Sequence, residues 1–508
     1  MIETSSYMDV LNDEQRWHVE HSDALTFLQK LPDACCDSIV TDPPSGTGFM
    51  GRDWDKNKGE RDKWIGWLAE IMREAFRVLK PGGHGLIWAF PRTSHWTGIA
   101  LEDAGFELRD KIQHVFGSGF PKSLNVDKAI DKKKGAKRKK VGEYTIAGTS
   151  AMSLAEKGGT YSAGIASSGH KKVIEITTPE SDEAKQWEGY GTGLKPAHED
   201  WWLVRKPCEG SIVDSVLRNG TGALNINDCR IGNGADKGIW PVTARTSERG
   251  TMTGELGCVE TKREVGRWPA NFLLSHSAGC VCEGTREIKA NPTWDTPNRD
   301  TEPSSFTGKA VSDVAHGSKG KERVPVWRCA PDCPVFLLDI GQKLDASRYF
   351  ADLTWGPDDV PVPFIYQAKP SRKERDAGLQ NFKRLTGGKA TGRKDGSAGT
   401  NSPRAGAGRK GGSANSHPTV KSVALMRYLC RLVTPPNGVV LDVFTGSGTT
   451  GIACLREGFR FLGCELNDTQ KEPFVSIARA RIGHVEGRTF IPRESLRAVV
   501  TDSQGSLF

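Results

Sequence analysis

Along residues 63–79 the apolar side chains fall at Trp64, Leu68, Ile71, Met72, Ala75 and Leu79, and steps of three and four lay them in one stripe on a helix. The pattern changes at CDSIVTD, residues 36–42, where a short apolar, β-branched run ends on Asp42 and two prolines. That run predicts a buried strand. DALTFLQKLP before it predicts a short helix, while KPGG ends the long helix ahead of the strand-like GLIWAF. Strand and helix therefore alternate, and this rhythm predicts a mostly parallel α/β sheet.

EDWWLVRKP, residues 199–207, reads as a further strand. The rhythm returns after residue 416: a helix leads to a strand over 439–443, then come a glycine loop, a second helix closed by Gly458, and a strand ending at Glu465. The text between is different. Residues 121–195 are polar, glycine-rich and basic, and 211–365 have aromatics and prolines without βα alternation, as expected of a separate recognition or accessory domain. Within 366–415, the part from 384 onward has almost no apolar side chains to offset its ordering entropy, so a mobile basic linker is expected. The partition is thus 1–210, 211–365, 366–415, 416–490 and an uninformative tail, 491–508.

Composition narrows the class. With 508 residues, 37% hydrophobic and 26% charged, the chain can fold and bury cores of ordinary size. The start MIETSSYMDV lacks a secretory pattern, and no run reaches the roughly 20 apolar residues of a membrane span, so a cytoplasmic protein is expected. Twelve scattered cysteines do not form the dense spacing of a disulfide scaffold. The net charge of +8, with DKKKGAKRKK at 131–140 as its densest run, fits an anionic partner.

Two loops carry candidate chemistry. GSGTTG, Gly446–Gly451, lies between a strand and a helix, where glycines let a ligand approach the backbone and the helix N-terminus. No lysine follows, so a nucleoside-triphosphate loop is disfavoured; a dinucleotide loop stays open, because Glu465 is at the usual distance for ribose hydroxyls. TDPPS, Thr41–Ser45, ends another strand and offers a carboxylate beside a rigid turn. Ligands of open α/β sheets bind outside the carboxyl ends of the strands, so both loops can face one crevice.

Together, TDPPS and LDVFTGSGTTG resemble the DNA methyltransferases that modify exocyclic amino groups. The order of catalytic motif, variable domain, HPTVKS and glycine loop is similar to the permuted β class. HSDAL, KPAHEDWWLVRKP, FIYQAKPSRKERDAGL and GFRFLGCE agree with it, and the resembling segments run from about 20 to 210 and 364 to 485. The resemblance implies a Rossmann-like, S-adenosylmethionine-dependent methyltransferase sheet, circularly permuted, with 211–365 inserted as target recognition domain. It implies double-stranded DNA as partner and no membrane; a homodimer stays open, and the sequence identifies no restriction enzyme partner.

By the same resemblance Asp42, Pro43, Pro44 and Ser45 form the catalytic motif, with Asp42 and the Pro43 carbonyl accepting the target amine. Asp23, His417, Thr419, Lys421, Asp442, Phe444, Thr445, Gly446, Ser447, Gly448, Thr449, Thr450 and Glu465 are the expected cofactor residues. The family has an aromatic where Ser45 stands and a proline where Ser422 stands. Stacking on a flipped base is worth roughly 1–3 kcal/mol, so Phe49 or Trp54 is expected to replace that ring. Aspartate as first motif residue favours adenine N6 over cytosine N4; the competing readings are an inactive DNA-binding homologue and an enzyme acting on RNA or protein. Separately, Cys280, Cys282, Cys329 and Cys333 form two close pairs that can meet around a tetrahedral zinc, with His276 as substitute ligand.

Overall fold

The computed structural model describes residues 6–48, 53–55, 58, 60–116, 123–146, 172–194, 196–230, 239–242, 257–260, 268–274, 280–289, 321–329, 333, 335–336, 351–352, 370, 372–385, 412–469 and 472–486. The strands, in chain order, are β1 (Trp17–His21), β2 (Cys36–Thr41), β3 (Leu79–Ala89), β4 (Glu107–Val115), β5 (Lys139–Ile146), β6 (Lys172–Thr178), β7 (His198–Arg205), β8 (Ile239–Val242), β9 (Gly257–Glu260), β10 (Phe272–Leu274), β11 (Val281–Lys289), β12 (Lys321–Arg328), β13 (Ala351–Asp352), β14 (Val439–Asp442) and β15 (Arg460–Glu465). Nine of them form one sheet in the order β1-β15-β14-β2-β3-β7-β4-β10-β13. Among the described residues of that sheet, only β7 runs antiparallel to its neighbours. The last two long strands of the chain thus insert between the first two, which is the permuted arrangement expected.

Strands β2 and β14 are buried along their whole length, as a central parallel strand covered on both faces must be. Neighbouring residues face opposite layers. Val40, Val440 and Phe461 pack with the helices Val423–Val433, Thr449–Glu457 and Phe474–Glu486. Ile39, Leu441 and Leu462 pack with the helices Ala24–Lys30, Arg61–Val78 and Ser94–Asp103. The stripe read from Trp64 to Ala75 is buried as predicted. Its end differs: the strand begins at Leu79, and KPGG is part of β3, where the register jumps from Cys36↔Leu79 to Ser38↔His84. Gly82, at φ +78°, makes that excursion and donates its N–H to the Lys206 carbonyl.

Three boundaries drawn from the sequence differ from the packing. The break placed at residue 210 is not one, because Ser215 and Thr221 donate to the Pro81 carbonyl (3.0 and 2.6 Å) and Cys229 lies in the main core. Strands β10 and β13 of 211–365 also extend the main sheet. Within the expected linker, residues 372–385 and 412–415 are packed. Asp376 Oδ1 accepts from Ser413 Oγ and from the N–H groups of Ala414 and Asn415, and Leu379 and Ala414 pack on Phe474 and Ile477. Residues 366–369, 371 and 386–411 and the tail from 487 lie outside the described residues.

The basic segment 121–195 contains the helices Val126–Lys134 and Asp182–Gln186 and the β5–β6 hairpin. Arg138, from its densest basic run, points inward and pairs with buried Asp127 and Asp131 at 2.7 and 2.8 Å. Among the described residues no helix is long and apolar enough to cross a membrane.

Close approach of helix and sheet at the site depends on Gly451. A Cβ there would lie 2.5 Å from Ile482 Cδ1 and 2.9 Å from Phe461 Cδ1. Gly451→Ala is therefore expected to destabilise the protein by about 1–3 kcal/mol through overpacking, read as a lower midpoint in urea denaturation; an unchanged midpoint would show that the helix can move away freely.

Candidate functional site

The sheet order reverses between β14 and β2: from β14 the chain continues outward to β15, and from β2 it continues in the other direction to β3. Such a switch point opens a crevice at the carboxyl ends of the strands. Asp442 closes β14 and Thr41 closes β2, and a hydrogen bond joins them: Thr41 Oγ1 donates to Asp442 Oδ1 at 2.6 Å. The same oxygen accepts the Phe444 N–H, and Oδ2 accepts Thr450 Oγ1 at 2.5 Å. Burial pushes the Asp442 carboxyl up, while these donors oppose it. Asp442 is 2% exposed, so its side chain is a joint between the two loops.

The glycine loop is fixed from several sides. Gly446 and Gly448 take φ of +55° and +80°, a region that favours glycine. A Cβ on Gly446 would meet His417 Nε2 at 2.9 Å, and one on Gly448 would meet the Ala478 backbone at 3.0 Å. Thr445 Oγ1 donates to the Asp442 carbonyl, and buried Arg481 donates to the Ser447 carbonyl and hydroxyl and to Thr449 Oγ1. The hydroxyls of Thr445, Ser447, Thr449 and Thr450 thus brace the loop. Phe444 sits half-buried beside Trp67, with ring centroids 6.0 Å apart. Arg481 had no signal in the sequence, where an arginine in VSIARARIGH reads as a surface residue.

Glu465, at the end of β15, accepts the N–H of Gly446 with Oε2 (2.9 Å) and that of Asn467 with Oε1 (3.0 Å). Burial raises its carboxyl to about 7. The parallel pairing His21↔Glu465 brings Asp23 to the same end of the sheet. Asp23 caps the helix Ala24–Lys30 through the Thr26 N–H, and its bonds to Thr26 hold its carboxyl low.

Asp42 follows β2 directly. Its Oδ2 receives Lys421 Nζ at 2.9 Å, and that ammonium also lies 3.8 Å from Glu199 Oε2 and 4.1 Å from the Trp88 ring centroid. Burial raises the Asp42 carboxyl to about 6, with Lys421 opposing and Glu199 and Asp442 adding to the rise. Lys421, one of the expected cofactor residues, contacts the motif aspartate and Glu199. Glu199 lies on β7, where the strand pattern EDWWLVRKP gives no sign of a role at the site. Ser422, where the family has proline, caps the helix Val423–Val433 by accepting the Leu425 N–H.

Ser45 is held by Asp55, a residue 1% exposed. The Ser45 N–H donates to Asp55 Oδ1 and its hydroxyl to Oδ2 at 2.8 Å, while Asp55 returns its carbonyl to the Gly48 N–H at 2.7 Å. Thr93 Oγ1 donates to the Ser45 carbonyl at 3.1 Å. Pro43 is buried and Pro44 half-buried. The turn closed by Asp55 carries Trp54 to His417, with centroids 6.3 Å apart and planes 17° apart; His417 in turn meets the edge of Phe474 at 4.6 Å. Thr419 is half-buried nearby in sequence, and Phe49 lies outside the described residues.

A second cluster stands apart from the crevice. The sulfurs of Cys280, Cys329 and Cys333 lie within 4.8 Å of one another. The Cys282 side chain and His276 are outside the described residues.

Comparison with known proteins bears on which family the chain belongs to. The family model described as DNA methylase, of the N6 and N4 methyltransferases, matches residues 36–221 and 276–476. The type II methyltransferase M.SfiI of Streptomyces fimbriatus is 23% identical over 460 residues, covering 88% of this chain and 87% of that protein. The putative methylase YubD of Escherichia coli (strain K12) is 48% identical over 50 residues, a match spanning 10% of this chain and 22% of that one. Among solved structures, the M1.HpyAVI-SAM complex aligns over 92% of this chain and 98% of its own at 15% identity and a TM-score of 0.32. The cytosine-N4-specific PvuII DNA methyltransferase aligns over 96% and 91% at 12% identity and a TM-score of 0.35. With both loops inside the matched segments, which make up more than half of its length, the chain belongs to the N6/N4 DNA methylase family.

Proposed function

We propose that this protein methylates the exocyclic amino group of a base flipped out of double-stranded DNA, with adenine N6 preferred over cytosine N4. The observation that carries the reading is the Thr41–Asp442 joint, which sets the motif carboxylate Asp42 beside the glycine loop at the sheet's switch point.

The residues of the crevice fit S-adenosylmethionine: the glycine backbone leaves no room for a side chain at Gly446, and Glu465 is a buried carboxylate suited to ribose hydroxyls. The cofactor, when bound, supplies an electrophilic methyl group on a sulfonium. The protein's part is with the amine. A base amine is a weak nucleophile because its lone pair is delocalised into the ring; Asp42 and the Pro43 carbonyl accepting its two N–H bonds draw the nitrogen towards tetrahedral geometry. A carboxyl near 6 is ionised at neutral pH and basic enough to accept the proton released as the nitrogen becomes cationic.

Ser45 does not stack; it closes the turn that carries Trp54, so we assign Trp54 as the ring that receives the flipped base. Residues 231–365 serve target recognition in this reading. The three clustered thiols have the donor chemistry of a structural zinc site.

Methyl transfer from labelled S-adenosylmethionine to unmethylated genomic DNA, with mass spectrometry of the nucleosides, tests the assignment. Wild-type protein is expected to yield N6-methyladenine, Asp42→Ala to lose about a hundredfold or more of the rate, and Trp54→Ala about tenfold. N4-methylcytosine would overturn the base preference, and absence of product with cofactor still bound would support a DNA-binding homologue without catalysis. For the metal, about one equivalent of zinc per chain is expected in the purified protein by elemental analysis; less than about a tenth of an equivalent removes the site.

A further inference from the structure

We propose that Lys421 and Glu199 act together as positioning residues for Asp42, Lys421 holding Oδ2 so that Oδ1 is presented to the target amine and Glu199 holding Lys421 from the other side. This rests on the methyltransferase reading and deepens it.

The geometry supplies the argument. Lys421 is 12% exposed, so its ammonium needs nearby carboxylates to offset lost hydration. It has two, Asp42 from the end of β2 and Glu199 from β7, at 2.9 and 3.8 Å, and it stands over the Trp88 ring of β3. The contacts that Lys421 makes are with these two carboxylates and this ring, so its ammonium is committed to the motif aspartate. With both carboxylates ionised the trio carries one net negative charge, which suits a cationic methyl donor. Among the described residues, Asp442 on β14 also acts on Asp42, and His114 on β4 interacts with Glu199 and Lys421. Burial lowers the His114 imidazole to about 4, so it is neutral at neutral pH. Burial raises the Asp42 carboxyl most, and on that background two neighbours act in opposite directions: Lys421 favours its ionised form and Glu199 disfavours it, with Asp442 adding to the rise.

Opposed neighbours give opposed variants. The acid limb of the methyl-transfer profile reports ionisation of Asp42 and is measured from pH 5 to 9 for wild type, Lys421→Met, Lys421→Arg and Glu199→Gln. Lys421→Met is expected to move the limb up by about 1–3 units, Glu199→Gln to move it down, and Lys421→Arg, which keeps the charge, to restore it close to wild type. A second readout needs no methyl transfer: the urea stability of each protein is compared with that of its Asp42→Asn counterpart across the same pH range. Asp42 has a raised carboxyl, so its contribution to stability is present at low pH, falls as pH rises, and levels off above its folded value. The levelling is expected near pH 6 in wild type, higher in Lys421→Met and lower in Glu199→Gln.

Matching opposite shifts in both readouts support the proposal. A limb and a levelling point that are the same in all variants, or that move in one direction for Lys421→Met and Glu199→Gln, overturn it. If wild type transfers no methyl group, the functional reading fails while the stability series still decides the role of the pair. If Lys421→Met does not fold, the Glu199→Gln and Lys421→Arg proteins decide it: a downward shift in the first with retention in the second supports it, and any other pair of results contradicts it.

Discussion

The buried carboxylate of Asp442 is the constraint on which the site depends. A charge taken out of water is costly unless its oxygens are hydrogen-bonded, and Asp442 is met by the Thr41 and Thr450 hydroxyls and the Phe444 N–H. Each of these partners belongs to a different part of the machinery: Thr41 precedes Asp42, Phe444 opens the glycine loop, and Thr450 lies in the first turn of the helix that follows it. Satisfying one carboxylate therefore fixes two loops whose bonded residues are 401 positions apart in the chain. Arg481 and Glu465 extend the same bracing to the far side of the loop.

Around the crevice, acidic groups are raised and the close ammonium of Lys421 is neutralised. Glu465 and Asp42 are both raised by burial, to about 7 and about 6, so each is tuned by its surroundings to be partly or wholly ionised near neutrality. The ammonium of Lys421 is enclosed between two acids and does not project freely into the crevice. Ser45, the departure from the family's aromatic, is likewise absorbed into structure, since its hydroxyl and N–H bind Asp55 and so set the position of Trp54.

The fold was legible where local pattern and burial agree. The stripe from Trp64 to Ala75, the continuous apolar strands β2 and β14, and the glycines of 446–451 each announce their element because periodicity and backbone freedom are local properties. The two motifs were legible as neighbours from the rule for switch points. What could not be read is tertiary pairing. Nothing near Lys421 in sequence says that it will meet Asp42, or that Glu199 will approach from β7. Arg138, within a run of lysines, looks solvated until Asp127 and Asp131 are seen to bury it. The segments 211–230 and 372–385 look like parts of an insertion and a linker, because the contacts that attach them, such as Ser215 and Thr221 to Pro81 and Asp376 to Ser413, Ala414 and Asn415, leave no periodic signature in the sequence.

The most direct test of the central claim, that the braced glycine loop and Glu465 form the cofactor site, is the affinity for S-adenosylmethionine measured by calorimetry from pH 6 to 8.5. A carboxylate accepts hydroxyl hydrogen bonds best when ionised, so if Glu465 holds the ribose, binding is expected to weaken as pH falls through about 7, and Glu465→Gln to bind more weakly and without that pH dependence. Absence of binding by the wild type, or an affinity that Glu465→Gln leaves unchanged across the range, would contradict the account.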